Sequence, residues 1–203
     1  MNQTKKTGIM GGTFNPIHYG HLLLAEQARE IAGLDEILFM PSGNSYMKSS
    51  SEIAAGEHRL AMTELALSEN SFFTLSTLEM EREGATYTCD TLRILKEHYP
   101  QTQYYFILGA DNLFSIESWK DPEVILGNCH LITTARGEKS EADIEKQAAY
   151  LEQKYDTRVI LLPERKIDLS SSEIRKKLQS GESVRYMVPD RVLSYIQEHE
   201  LYR

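Results

Sequence analysis

Cysteine is scarce in this chain: its 203 residues hold two, Cys89 and Cys129, far apart and outside any metal-ligand spacing. That excludes a disulfide scaffold and a cysteine-based zinc site, and points to reduced thiols in a cytosolic protein. Long apolar runs are missing as well. Nowhere do about 18 consecutive apolar residues occur, so no transmembrane helix is expected. The two lysines of MNQTKKTGIM are followed by no apolar stretch of the signal-peptide kind. Positive charge is in deficit, with 22 Lys and Arg against 30 Asp and Glu. A general nucleic-acid or membrane-surface binder would show the reverse, so neither partner is expected, and an anionic ligand would have to be met by a local field. The common nucleotide and metal fingerprints are absent too. There is no GxxxxGK[ST], no GxGxxG and no HExxH.

What is present is a steady alternation of strand-like and helix-like patterns. KTGIM (6–10), EILFMP (36–41), FFTLST (72–77), QYYFILGAD (103–111, stopping at Gly109), CHLITTAR (129–136) and RVILLP (158–163) read as strands. The unbroken apolar character of the last three fits strands covered on both faces. Helical spacing appears at 19–32, where Leu24, Ala28 and Ile31 recur, and again at 57–69, 88–99, 141–155, 170–181 and 188–199. Thr88 or Asp90 is the expected cap of the third of these helices. The polar stretch 42–56, SGNSYMKSSSEIAAG, has no period and reads as a long functional loop. No internal repeat and no low-complexity linker interrupts the pattern. The expectation is a single α/β domain over 1–203: a Rossmann-like, doubly wound, mostly parallel sheet with helices on both faces and a small helical part at about 164–203. Its length suffices to bury roughly 70% of the unfolded chain's surface. Ligands of such sheets bind beyond the carboxyl ends of the strands.

The segment GIMGGTFNPIHYGH (8–21) lies at one of those ends. Gly11 and Gly12 let backbone approach a ligand. His18 and His21 stand about one helical turn apart at a helix entrance, where free N–H groups favour phosphate. As a bare pair they could equally be metal ligands, catalytic acids or exposed loop residues. Zinc is disfavoured, since no third ligand has a recognisable spacing. In IDLSSSEIR, Ser170 followed three residues later by Glu173 is a capping box with a purely structural reading, and Arg175 is the functional candidate of that helix. His58 and Arg59 open another helix and are expected at the surface, with the cleft as the alternative for Arg59.

GGTFNPIHYGH resembles the signature of the HxGH nucleotidyltransferases. GATYTCDTL (84–92), FILGADNLFSIESW (106–119), IDLSSSEIR (167–175) and YMVPDRVLSYIQEHELY (186–202) resemble, in order, segments of the bacterial nicotinate mononucleotide adenylyltransferases. The resemblance implies transfer of the adenylyl group of ATP to nicotinate mononucleotide, with Mg2+ carried on the ATP phosphates. It implies catalytic roles for His18, His21, Lys48 and Arg175. ATP contacts are implied at Gly11, Gly12, Thr13, Phe14, Gly109, Asp111, Ser170 and Ser171. For the mononucleotide it implies Asn15, Lys48, Thr86 and Trp119, the last stacking on the pyridine ring. Taken without it, Lys48 could be a solvated loop lysine, Asp111 a cap and Trp119 a core residue. Sibling enzymes acting on nicotinamide mononucleotide or phosphopantetheine, and a non-catalytic ATP sensor, are the competing readings. Homo-oligomerisation stays open. Two positions depart from the family pattern: Asn15 replaces its usual aspartate, and NSYMK (44–48) keeps Lys48 but has Met47 where the family has a histidine.

Overall fold

The computed structural model describes residues 4–43, 53–134, 139–163 and 168–203. In chain order these form β1 (Lys6–Gly12), α1 (Tyr19–Ala32), β2 (Glu36–Pro41), α2 (Gly56–Leu67), β3 (Phe73–Leu75), α3 (Thr88–His98) and β4 (Gln103–Leu108). There follow α4 (Ala110–Ser115), a 3-10 turn (Ile116–Ser118), α5 (Pro122–Asn128), β5 (Cys129–Thr134), α6 (Glu141–Tyr155), β6 (Val159–Leu162), α7 (Ser171–Gln179) and α8 (Asp190–Glu198). The strands make one six-stranded sheet in the order β3-β2-β1-β4-β5-β6. This is the doubly wound α/β arrangement expected from the alternation. Its order reverses between β1 and β4, the switch point at which such sheets open a ligand crevice.

The chain divides into two compact units. One comprises residues 1–11, 27–38 and 87–165. In it β1 pairs parallel with β4, Met10 opposite Ile107, so both strands end at the same level of the sheet. Strands β4 and β5, and then β5 and β6, are also parallel. Tyr104, Tyr105, Ile107 and Leu108 of β4 and Leu131 and Ile132 of β5 are buried, which accounts for their unbroken apolar runs. Thr7 is the polar exception on β1, and its hydroxyl donates to Glu36 Oε1 at 2.9 Å. The other unit comprises 12–26, 39–86 and 166–203. It holds α2, β3, α7 and α8, with Met62, Ile174, Val192 and Ile196 in its core. Among the described residues no helix is long and apolar enough to cross a membrane.

Several local expectations are corrected. β1 runs on through Gly11 and Gly12, so the turn begins later than the pattern suggests, and β3 keeps three residues of the six expected. Ile31 stays 47% exposed, and Ala25 and Ala28 form the buried edge of α1. Helix α3 has Tyr87 at its N-cap without a side-chain capping bond. Asp90 is engaged instead by Arg93 and Lys120, at 2.7 and 3.0 Å. The short helices α4 and α5 escape periodicity altogether. Proline at the first position of α5 was the available signal.

Close packing at Gly8 generates the first test. A Cβ there would meet Ile37 Cδ1 at 2.5 Å and Leu34 Cδ1 at 2.8 Å. Gly8→Ala overpacks this layer, and urea unfolding should show a loss of about 1–3 kcal/mol with an unchanged slope.

Candidate active site

The turn after β1 is held in an unusual shape by its own side chains. Phe14 is buried and takes φ 47°, a left-handed conformation that a bulky residue adopts only under constraint. Its ring packs edge-on against His21 at 5.1 Å and lies tilted against Phe39 at 5.9 Å. Gly12 is small because of the same ring, which a Cβ would touch at 3.1 Å.

His18 and His21 stack with centroids 3.7 Å apart. The backbone N–H of His18 donates to His21 Nδ1 at 3.2 Å. An N–H can only donate, so His21 is neutral with its proton on Nε2, a ready hydrogen-bond donor. His18 is 5% exposed, and among the described residues its Nδ1 has no hydrogen-bond partner. A buried ring nitrogen without a partner is costly and marks a place where a ligand is due. Burial pushes the pKa of His18 down to about 4. Burial, and next the charge His18 can carry, pushes that of His21 down to about 3. Gly20 is required between them, because a Cβ would lie 2.9 Å from His18 Nδ1.

The N-terminus of α7 is fastened to this turn. Ser170 caps it, its hydroxyl accepting from the Glu173 N–H at 3.1 Å, as the capping box predicts. The Ser171 hydroxyl donates to the Pro16 carbonyl at 2.9 Å, and Arg175 Nη1 donates to the Asn15 carbonyl at 2.9 Å. Asn15 is buried, and its Oδ1 accepts from the Ala54 N–H at 3.0 Å and from the Tyr202 hydroxyl at 2.7 Å. A neutral amide oxygen therefore fills the place where the family pattern has a carboxylate. Tyr202 was not foreseen, and a terminal aromatic offers little to foresee it by.

Arg59 overturns its surface assignment, being only 4% exposed. Its Nη1 donates to Thr13 O and to Ser42 O, both at 2.9 Å, while Nε donates to Ala54 O at 3.3 Å and Nη2 faces Met80 Sδ at 3.6 Å. Desolvation lowers its pKa, opposed by Tyr202. The signal was available. Arg59 precedes Met62 and Thr63 by three and four residues, which places it on the buried stripe of α2. His58 is half-buried, with Nδ1 2.9 Å from the Tyr195 hydroxyl. Thr86 is half-buried, its Cγ2 3.4 Å from where a Cβ on Gly43 would sit. Lys48 lies outside the described residues.

The remaining candidates belong to the other unit. Gly11 ends the β1 segment of that unit, and Gly109 stands at the N-cap of α4, with Asp111 exposed in the first turn. Trp119 is half-buried, edge-on to Phe106 at 6.2 Å. Both flanks of Trp119 are tied down. Glu117 accepts from Lys154 at 2.6 Å and from Tyr155 at 2.8 Å, and Arg93 bridges Asp90 and Asp121. One unit thus joins Gly12–His21, Ser170, Ser171 and Arg175 by direct bonds, and the other carries Gly11, Gly109, Asp111 and Trp119.

Two tests follow from the histidine pair. Gly20→Ala displaces the His18 ring and should cut turnover on the order of 100-fold, as small misplacements at reacting centres do. Thermal unfolding of the same variant should change little. The second concerns pH. Both folded-state pKa values lie below the unfolded 6.5, so between about 6.5 and 3 the unfolded chain binds more protons. Stability should therefore rise with pH across that window and be lost as pH falls through it. His21→Gln should flatten the profile.

A family model described as cytidylyltransferase-like matches residues 9–177. A Lachnoclostridium phytofermentans protein named "Probable nicotinate-nucleotide adenylyltransferase" is 43% identical over 98% of this chain and 99% of its own. A Dehalococcoides mccartyi protein of the same name is 41% identical over 97% of each chain. Among solved structures, Plasmodium falciparum nicotinic acid mononucleotide adenylyltransferase complexed with NaAD is similar with TM-score 0.80 and 26% identity, over 98% of this chain and 97% of that one.

Proposed function

The chain belongs to the cytidylyltransferase-like family, and on that premise we propose that it transfers the adenylyl group of ATP to nicotinate mononucleotide. The products are nicotinate adenine dinucleotide and pyrophosphate. The observation that carries the reading is the stacked pair of neutral imidazoles at the joint of a strand and a helix, one with a buried nitrogen that has no partner among the described residues. That joint is where phosphate binds in this fold.

The nucleophile is a phosphate oxygen of the mononucleotide, already ionised at neutral pH. It attacks the α-phosphorus of ATP, forming a new P–O bond while the bond from that phosphorus to the bridging oxygen breaks and pyrophosphate departs. No general base is needed, so the protein's task is positioning and stabilising charge. The low proton affinity of the pair suits this, because neutral His21 presents Nε2–H as a donor and withdraws no proton. His18 and His21 hold the α- and β-phosphates, with backbone at Gly11, Gly12, Thr13 and Phe14 adding contacts. Ser170, Ser171 and Arg175 receive the leaving pyrophosphate, joined by Lys48. Gly109 and Asp111 contact ATP; Asn15, Thr86 and Trp119 serve the mononucleotide, Trp119 by stacking on its ring.

Magnesium, when bound, would neutralise charge on the triphosphate. Among the described residues no three His, Cys, Asp or Glu side chains gather as a cage. On this reading the ion is held mainly by phosphate and water oxygens. We further propose that the whole chain serves as one nucleotidyltransferase domain. A reducing, cytosolic setting suits its two free, buried cysteines.

Pyrophosphate release measured with ATP, magnesium and nicotinate mononucleotide, nicotinamide mononucleotide or phosphopantetheine in turn tests the reading. Release is expected first and fastest with the nicotinate substrate, and none with it would refute the proposal. His18→Ala and His21→Ala should each lower kcat by roughly 100-fold or more, the scale for removing a transition-state donor, with small changes in Tm.

A further inference from the structure

We propose that Arg59 is a positioning residue for adenylyl transfer, holding the Thr13 and Ser42 carbonyls so that the turn after β1 keeps the shape that meets a triphosphate. The inference deepens the adenylyl-transfer reading and rests on it. Three observations on one side chain carry it.

First, the charge is expensive where it stands. Arg59 is buried and lies near the N-terminal end of α2, where the helix dipole disfavours a cation. Its hydrogen bonds go to three carbonyls and a thioether, and among the described residues no carboxylate pairs with it. A cation kept at that cost, beside a turn built for phosphate, is balanced when an anion arrives.

Second, the bond to Thr13 O sets a peptide plane. In a trans peptide the carbonyl and the following N–H point in opposite directions. Drawing Thr13 O onto Arg59 at 2.9 Å therefore turns the Phe14 N–H away from the guanidinium. That orientation goes with the left-handed φ of 47° at Phe14, a conformation that must be imposed by its surroundings. Phe14 in turn packs edge-on against His21. Displacing the Thr13 carbonyl would thus disturb one of the two phosphate-holding imidazoles.

Third, the same guanidinium fixes two neighbouring strands of backbone. Ser42 is bound from both sides: its carbonyl takes Arg59 Nη1, and its N–H donates to Gly12 O at 2.8 Å. Ala54 is bound the same way, its carbonyl by Arg59 Nε and its N–H by Asn15 Oδ1. A lysine could supply the charge. Only the planar fork of arginine reaches these carbonyls together.

The test compares wild type with Arg59→Lys, Arg59→Ala and Arg59→Met in the pyrophosphate assay with ATP varied, alongside thermal unfolding. Arg59→Lys should keep KM for ATP within about threefold while kcat falls tenfold or more, the signature of lost transition-state positioning. Arg59→Ala should fall about 100-fold in kcat, and added guanidinium ion should restore about tenfold of it. Arg59→Met, whose side chain fills the space, should not be rescued. Variants that are folded at the assay temperature and turn over within about twofold of wild type would overturn the inference. So would losses that merely track the unfolded fraction. If the alanine and methionine variants do not fold, Arg59→Lys decides alone by its kcat and KM. A wild type that releases no pyrophosphate refutes the underlying reading and takes this inference with it; the variants alone address Arg59.

Discussion

Stacking two imidazoles 3.7 Å apart in a place largely closed to water leaves the pair one comfortable state, with both rings neutral. Much of the site follows from that. Neutral rings carry no positive charge, so on the proposed reading they serve as directed donors and the charge that a triphosphate requires comes from elsewhere. In a protein of net charge −8 it must also be local. Arg59 and Arg175 both donate to backbone carbonyls of the same turn, and on the proposed reading these guanidiniums are the source of that charge. Held against carbonyls, the Arg59 guanidinium is oriented without its charge being cancelled, whereas a carboxylate partner would do both.

The parts of this arrangement governed by local rules were legible in the sequence. α1, β2 and α6 begin and end where the pattern put them, because each has clear periodicity and sharp boundaries. The Ser170 cap was readable for the same reason: a hydroxyl and an N–H three residues apart meet whenever a helix starts there. The position of His18 and His21 at the mouth of α1 followed from two adjacent glycines after a strand. Their stacking did not, since it depends on the ring of Phe14 and the missing Cβ of Gly20.

What escaped was set by tertiary contact or broke a compositional habit. Arg59 was expected at the surface, with the cleft as its alternative, and arginine is indeed seldom buried without an acid. Its spacing against Met62 and Thr63 argued the opposite, and the spacing was right. Tyr202 bonds to Asn15, a residue near the other end of the chain, and no local pattern encodes that meeting. The mistaken caps of α3 show the converse. Asp90 has the right chemistry to cap, yet two cations compete for its carboxylate and win.

Asn15 draws these threads together. Its Oδ1 already accepts two hydrogen bonds, from Ala54 and Tyr202, which is the structural work an aspartate oxygen would do at that point. Burial pushes the pKa of the Tyr202 hydroxyl up, and Arg175 and Arg59 oppose that shift, so the Asn15 amide that accepts from this hydroxyl lies near two guanidiniums. A carboxylate there would hold the same partners but subtract a unit of positive charge from the turn. With asparagine the scaffold is kept and the field stays whole. The departure from the family pattern therefore changes the electrostatics of the turn more than its architecture, and on the proposed reading it does so in favour of the triphosphate.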